Sequence, residues 1–200
     1  MEIDKDKLFV IGGHNSMTYF KPKTIFGYIG NVVAKCQNKS IFQLLHEQYR
    51  VFDIRISYDK YRNIEYRHGL VRYKNETNLT KLLDQINIYS SDNKIIIRII
   101  LEHYNDNADI GNFNKLCEYI EVRFNNIIFI GGNVKKTWKK VYQFDNNITD
   151  ADIYQWVSSM ANDARWYEKV CPYLYAKRKN KDNMKLANKI GKGIHLFDFL

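Results

Sequence analysis

Two hundred residues with 45% hydrophobic content suit one domain with a sizeable core. Two prolines and ten glycines argue against long disordered stretches, and three scattered cysteines (Cys36, Cys117, Cys171), with no CxxC spacing, argue against a disulfide framework or a zinc site. A net charge of +9 favours anionic partners such as phospholipid headgroups, polyphosphate or nucleic acid without choosing among them, and a solvated basic surface explains it equally well.

In chain order, the charged segment 1–7 lacks the apolar stretch of a signal peptide, and no run is long enough to span a membrane. If the chain is complete, this implies a cytosolic protein; a removed leader would leave the same sequence. Leu8–Ile11 reads as a strand. Ser40 is an N-cap candidate for a helix over 40–49, with Ile41, Leu44 and Leu45 on one face. Arg50–Ser57 and Ile64–His68 are strands, and Asn78–Ser90 is a helix. The aliphatic run Lys94–Leu101 is a strand buried on both faces. A helix over 110–124 leads to a strand over 126–130, closed by Gly131-Gly132. Lys139–Phe144 is a further strand candidate, Asp150–Asn162 a helix, and Ile194–Leu200 the last strand. This alternation predicts a parallel α/β architecture, barrel or doubly wound. A barrel this short must have minimal loops and lack some helices, since about 200 residues is the lower limit.

Three polar groups fall at the ends of candidate strands, where barrel enzymes carry catalytic side chains. They are Gly12-Gly13-His14-Asn15-Ser16, Asp53 with Arg55, and His68-Gly69. Asp53 and Arg55 are two residues apart and face the same way. Burying them is costly unless they are paired or functional; a structural ion pair or an exposed sheet edge is the plainer reading. Two histidines after separate strands can serve as base and acid near neutral pH.

GlyGlyHisAsnSerMetThr at 12–18, SerIlePheGln at 40–43, ValPheAspIleArg at 51–55 and HisGly at 68–69 occur in this order with compatible spacing. Together they resemble the catalytic X domain of phosphatidylinositol-specific phospholipase C. The likeness covers about residues 7–103, with the strand ending at Glu102, and returns at IleHisLeuPheAspPheLeu, 194–200. It implies a compact TIM-like (β/α) barrel, incomplete or irregular, that cleaves inositol phospholipids to diacylglycerol and cyclic inositol phosphate. By motif position His14 is the general base and His68 the general acid. Arg55 stabilises charge on the phosphoryl oxygens, Asp53 orients the site or accepts a sugar hydroxyl, Asp198 holds the His14 tautomer, and Asn15 and Glu102 contact substrate. An arginine at position 55 implies catalysis without a metal cofactor. In a calcium-dependent variant Asn15, Asp53 and Glu102 would be the oxygen ligands, but Val51 stands where an acidic ligand is expected.

His46 and His195 read as surface or packing residues, and His103 as a residue at the pocket mouth. Trp166-Tyr167, Tyr173, Tyr175 and Lys177-Arg178-Lys179 suit either peripheral contact with an anionic membrane or a solvated loop followed by a helix. The alternatives are a glycerophosphodiester phosphodiesterase and a catalytically silent module binding inositol phosphates or lipid headgroups. No aromatic-basic motif of a nucleic-acid module is present. Oligomeric state is not legible.

Overall fold

The computed structural model describes residues 2–90 and 94–200. Six parallel strands form a curled sheet: β1 (Phe9–Gly13), β2 (Val51–Tyr58), β5 (Ile95–His103), β6 (Ile127–Val134), β7 (Ile153–Trp156) and β8 (Gly193–Phe197). They lie side by side in the order β6-β5-β2-β1-β8-β7. Among the described residues no ladder joins β6 to β7, so the barrel stays open there, with segment 135–149 between them and no helix in it. The TIM-like barrel is therefore incomplete, as a chain of this length requires.

Alternation along the strands builds two apolar layers. Phe52, Ile54, Ile56, Ile97, Ile99 and Phe129 face outward. They pack on α2 (Ile41–His46), α3 (Leu79–Tyr89) and α4 (Asn107–Arg123) through Leu44, Leu82 and Phe113. Val51, Ile96, Ile128, Ile130, Ile194 and Leu196 form a separate inner plug at the amino ends of the strands. Above that plug the inward positions turn polar, at Asp53, Arg55, Arg98 and Glu102. The Ser40 cap holds as a capping box with Gln43.

Four expectations are corrected. Ile64–His68 (β3) is a strand, but it runs antiparallel to β2 and forms a hairpin with the short β4 (Val71–Arg72) in place of a βα unit. Lys139–Phe144 forms no strand, only a bridge from Lys140 to Asn133. Asp150–Asn162 is a 3-10 turn followed by β7, because Ile153, Tyr154 and Trp156 are strand formers with β8 available as a partner. Gly131 and Gly132 do not end β6 but carry it onward at positive φ, through a register shift against β5. A Cβ at Gly131 would collide with the Ile99 carbonyl oxygen. Gly131→Ala is accordingly expected to destabilise the fold by about 2–3 kcal/mol, read as a lower urea midpoint with an unchanged m-value. A control of the same size, Gly111→Ala, meets nothing within 4 Å.

Two helices, α1 (Ile25–Ala34) and α5 (Trp166–Val170), have no counterpart in the sequence reading, and α6 (Pro172–Ile190) is the helix that one reading of the segment after Trp166 offers. Helix α1 carries apolar residues at helical spacing, Ile25, Tyr28, Ile29, Val32 and Val33, but this face points to solvent in place of the core. Helices α5 and α6 connect β7 to β8, and a buried Glu168 held by Arg178 fixes one to the other.

Candidate active site

His14, Asp53, Arg55, His68 and Asp198 come together at the carboxyl end of the barrel, around a cavity of about 460 Å³ lined by His14, Arg55, His68 and Asp198 among others. The register explains the convergence. Gly13 pairs with Phe197, so the next residues along each strand, His14 and Asp198, emerge as neighbours. Gly12 permits the close approach of β1 to β2, since a Cβ there would overlap the Val51 backbone. His68 arrives by another route: β2 runs past Arg55 to Tyr58, and the antiparallel β3 returns the chain to the same level.

His14 is held on both ring nitrogens. Nδ1 lies 2.8 Å from Asp198 Oδ1, and Nε2 lies 2.7 Å from Arg55 Nη2. A guanidinium only donates, so Nε2 carries the lone pair and Nδ1 carries the proton given to Asp198. The end of β8 is clasped to this pair by Gln37, fully buried, whose Nε2 donates to the His14 and Phe197 carbonyls at 3.1 and 2.7 Å.

Arg55 is buried between two carboxylates, donating from Nε to Asp53 at 3.0 Å and from Nη1 to Glu102 at 3.3 Å. These partners outweigh the burial and push its pKa up. Burial opposes ionisation of Asp53, but Arg55 and Arg98 overcome it and hold the carboxyl well below the usual range. Asn15, in the left-handed region that asparagine tolerates, donates its backbone N–H to Asp53 at 3.2 Å. Glu102 also accepts the Gly69 N–H at 2.8 Å, which ties the His68-Gly69 turn to β5.

His68 donates Nδ1–H to the Ala34 carbonyl at 2.6 Å, and its ring stands edge-on to His14 at 6.1 Å. Burial, followed by the charge of Arg55, pushes its pKa down to about 4, which favours the neutral imidazole.

Two of the three ligands that a calcium-dependent variant would use, Asp53 and Glu102, are joined here by an arginine. The guanidinium of Arg55 bridges Asp53 and Glu102, occupying their oxygens with positive charge where a cation would need them. Asn15 and Glu102 lie beside the cavity in contact with Arg55 or His14.

Sequence reasoning missed Arg98, Lys135, Trp138 and Lys169, which complete the cavity wall. Arg98 was legible, because it shares strand parity with Glu102 four residues later; the others depend on the fold. His195 is a packing residue, stacked on Tyr154 and accepting the Trp156 indole N–H at 3.0 Å, while His46 and His103 are exposed. Of the aromatic-basic segment, Tyr175 is buried, Arg178 is engaged by Glu168 and Lys179 pairs with Asp163, whereas Trp166, Tyr173 and Lys177 are exposed.

The sequence matches no protein-family model and no curated protein. Solved structures do match. The phosphatidylinositol-specific phospholipase C of Listeria monocytogenes superposes with a TM-score of 0.66 at 15% identity, over 98% of this chain and 89% of that one. The fold is that of these bacterial phospholipases. A double mutant of the Staphylococcus aureus enzyme gives 0.65 at 15% identity over 97% and 86%, and a structure from a study of that enzyme's membrane binding gives 0.61 at 14% identity over 98% and 89%. Beside this phospholipase C fold, no helix among the described residues is long and apolar enough to cross a membrane.

Proposed function

We propose that the chain is a metal-independent phosphodiesterase of the phosphatidylinositol-specific phospholipase C type. The observation that carries this reading is His14 held between Asp198 and Arg55, with its basic nitrogen beside the guanidinium suited to a phosphate. The inositol 2-hydroxyl gives its proton to His14 Nε2, and its oxygen attacks phosphorus. Arg55, drawn to a non-bridging oxygen, frees that nitrogen and stabilises the spreading charge. The bond to the glycerol oxygen breaks, and His68 Nε2 supplies the proton to diacylglycerol. A cyclic inositol phosphate remains. The lowered pKa of His68 suits this role once an anionic phosphodiester is bound beside it, because negative charge raises it toward neutrality.

Freedom from calcium is supported by the Arg55 bridge between Asp53 and Glu102, a buried cation in the place of a metal. The same bridge disfavours a glycerophosphodiesterase, whose metal would need those carboxylates. Incubation with phosphatidylinositol vesicles in EDTA is expected to release cyclic inositol phosphate. Release only with calcium would refute metal independence, and headgroup binding without turnover in either condition would leave a silent module.

Peripheral membrane contact belongs to the same reading. Phe26 (82% exposed), Ile29 and Val32 on α1, with Leu70 (93% exposed) beside the His68 turn and Trp166 on α5, form an apolar rim. Val33 of α1 lines the cavity itself. A Phe26→Lys, Ile29→Lys double variant is expected to lower partitioning onto phosphatidylinositol vesicles at least about tenfold, since each buried side chain of this size contributes about 1.5–3 kcal/mol. Sedimentation with the vesicles measures this, and turnover of a soluble headgroup substrate should be unchanged.

A further inference from the structure

The cysteines are scattered in sequence, yet the fold sets one of them against the catalytic-site pair. Cys36, His14 and Asp198 each offer a ligand atom, all three within 4.8 Å of one another and all three residues buried. Cys36 comes from the loop after α1, which is stitched to the end of β8 by the Phe199 N–H to the Cys36 carbonyl and by the adjacent Gln37. Its sulfur lies 3.6 Å from the Ala34 carbonyl, 3.7 Å from His68 Nδ1 and 3.8 Å from Asn15 Nδ2. Burial, followed by the charge of the Asp198 carboxylate and a hydrogen bond to it, pushes the thiol pKa up. Beside it, Asn15 is 2% exposed and its Oδ1 has no hydrogen-bond partner. The amide contacts both His14 Nε2 and Cys36 Sγ through Nδ2, so a half-turn about its last torsion presents that oxygen to the same space.

We infer that His14, Cys36 and Asp198 form a binding site for a borderline-soft divalent cation such as zinc, and that its occupation blocks the site. Thiolate, imidazole and carboxylate are the donor types zinc selects, with Asn15 Oδ1 or water able to complete a tetrahedron. This donor set is unsuited to calcium or magnesium, which take oxygen ligands. Around the cavity the carboxylates of Asp53, Glu102, Asp150 and Asp198 balance the cations of Arg55, Arg98, Lys135 and Lys169, so the donor set and not net charge selects the ion. Binding releases the thiol proton to solvent as the Cys36–metal bond forms, and the His14 Nε2 lone pair that accepts from Arg55 goes to the metal instead, while Nδ1–H stays on the Asp198 side. Cys36 and His14 line the open cavity, which gives the ion an entry path. The inhibitory consequence rests on the function proposed above; the binding does not.

Chelator-treated protein titrated with cobalt is expected to develop a thiolate-to-cobalt charge-transfer band, which equimolar zinc removes. Cys36→Ser and Cys36→Ala should both lose the band, weaken zinc binding at least about tenfold and retain the wild-type melting profile, whereas Cys171→Ser should keep the band. In wild type, zinc should stop phosphatidylinositol cleavage over the concentration range in which it displaces cobalt, with EDTA restoring it. Absence of the band in the wild type, or equally tight zinc binding by both Cys36 variants, overturns the site. A band in protein that cleaves no inositol lipid would uphold the metal site and overturn the phospholipase reading alone.

Discussion

Replacing His14 by asparagine is expected to lower cleavage of phosphatidylinositol by about 10⁴-fold or more while the protein stays folded. An asparagine amide can still donate to Asp198, which in the native protein receives Nδ1–H at 2.8 Å, so the buried carboxylate keeps a partner. No basic nitrogen remains to take the inositol hydroxyl proton, and general-base assistance accounts for about 10²–10⁴ in rate. Loss of the contact that Arg55 makes with Nε2 adds to this by leaving the guanidinium less fixed. His14→Ala should be as inactive but less stable, because Asp198 is then left buried without its imidazole. Asp198→Asn tests the same pair from the other side. An amide nitrogen facing Nδ1 favours the wrong tautomer and should cost a comparable factor, with little change in melting temperature. Near-native turnover in His14→Asn would remove His14 as the base; lost turnover accompanied by a lost thermal transition would only report unfolding, which the melt detects.

Arg55→Lys is expected to reduce turnover by about 10²–10³-fold with weaker effects on vesicle binding. The guanidinium serves Asp53, Glu102 and His14 at once through Nε, Nη1 and Nη2. A lysine ammonium keeps the charge but is a single point, unable to span two carboxylates and present a fork to a phosphate. One lost transition-state donor is worth about 10²–10³ in rate. Arg55→Ala is the harsher variant, because it strands two buried carboxylates and breaking such a pair costs about 3–5 kcal/mol. The comparison separates roles: if Arg55 is only a structural ion pair, Arg55→Lys should lose stability in proportion to activity, whereas a phosphate-binding role predicts a fall in turnover that exceeds the shift in melting.

The half of the chain with strong local patterning was legible. Ser40 and Gln43 announce a helix start, and Lys94–Leu101 announces a buried strand, because capping and hydrophobic period act between near neighbours. The site residues of the first half were legible for a related reason. A charged pair such as Asp53 and Arg55 inside an apolar strand, or a histidine after a strand end, is costly to bury and therefore conspicuous. Arg98 is equally conspicuous, a single charge inside the aliphatic run of a buried strand. The second half misled where patterning was weak: Asp150–Asn162 reads as a helix but contains β7, since pairing with β8 overrides intrinsic preference.

Composition, strand parity and the ends of the early strands thus determined that this is an α/β chain with two histidines, an arginine and carboxylates gathered at one end of a sheet. Only the tertiary structure decided that β3 returns antiparallel and so delivers His68, that the barrel stays open between β6 and β7, and that Arg55 closes the space between Asp53 and Glu102. It also decided that Cys36 meets His14 and Asp198 across 22 and 162 residues of sequence. The physical reason is common to all of these. Local sequence specifies which way a side chain faces, whereas strand register and loop closure between distant segments specify what it meets, and those depend on the packing of the whole chain.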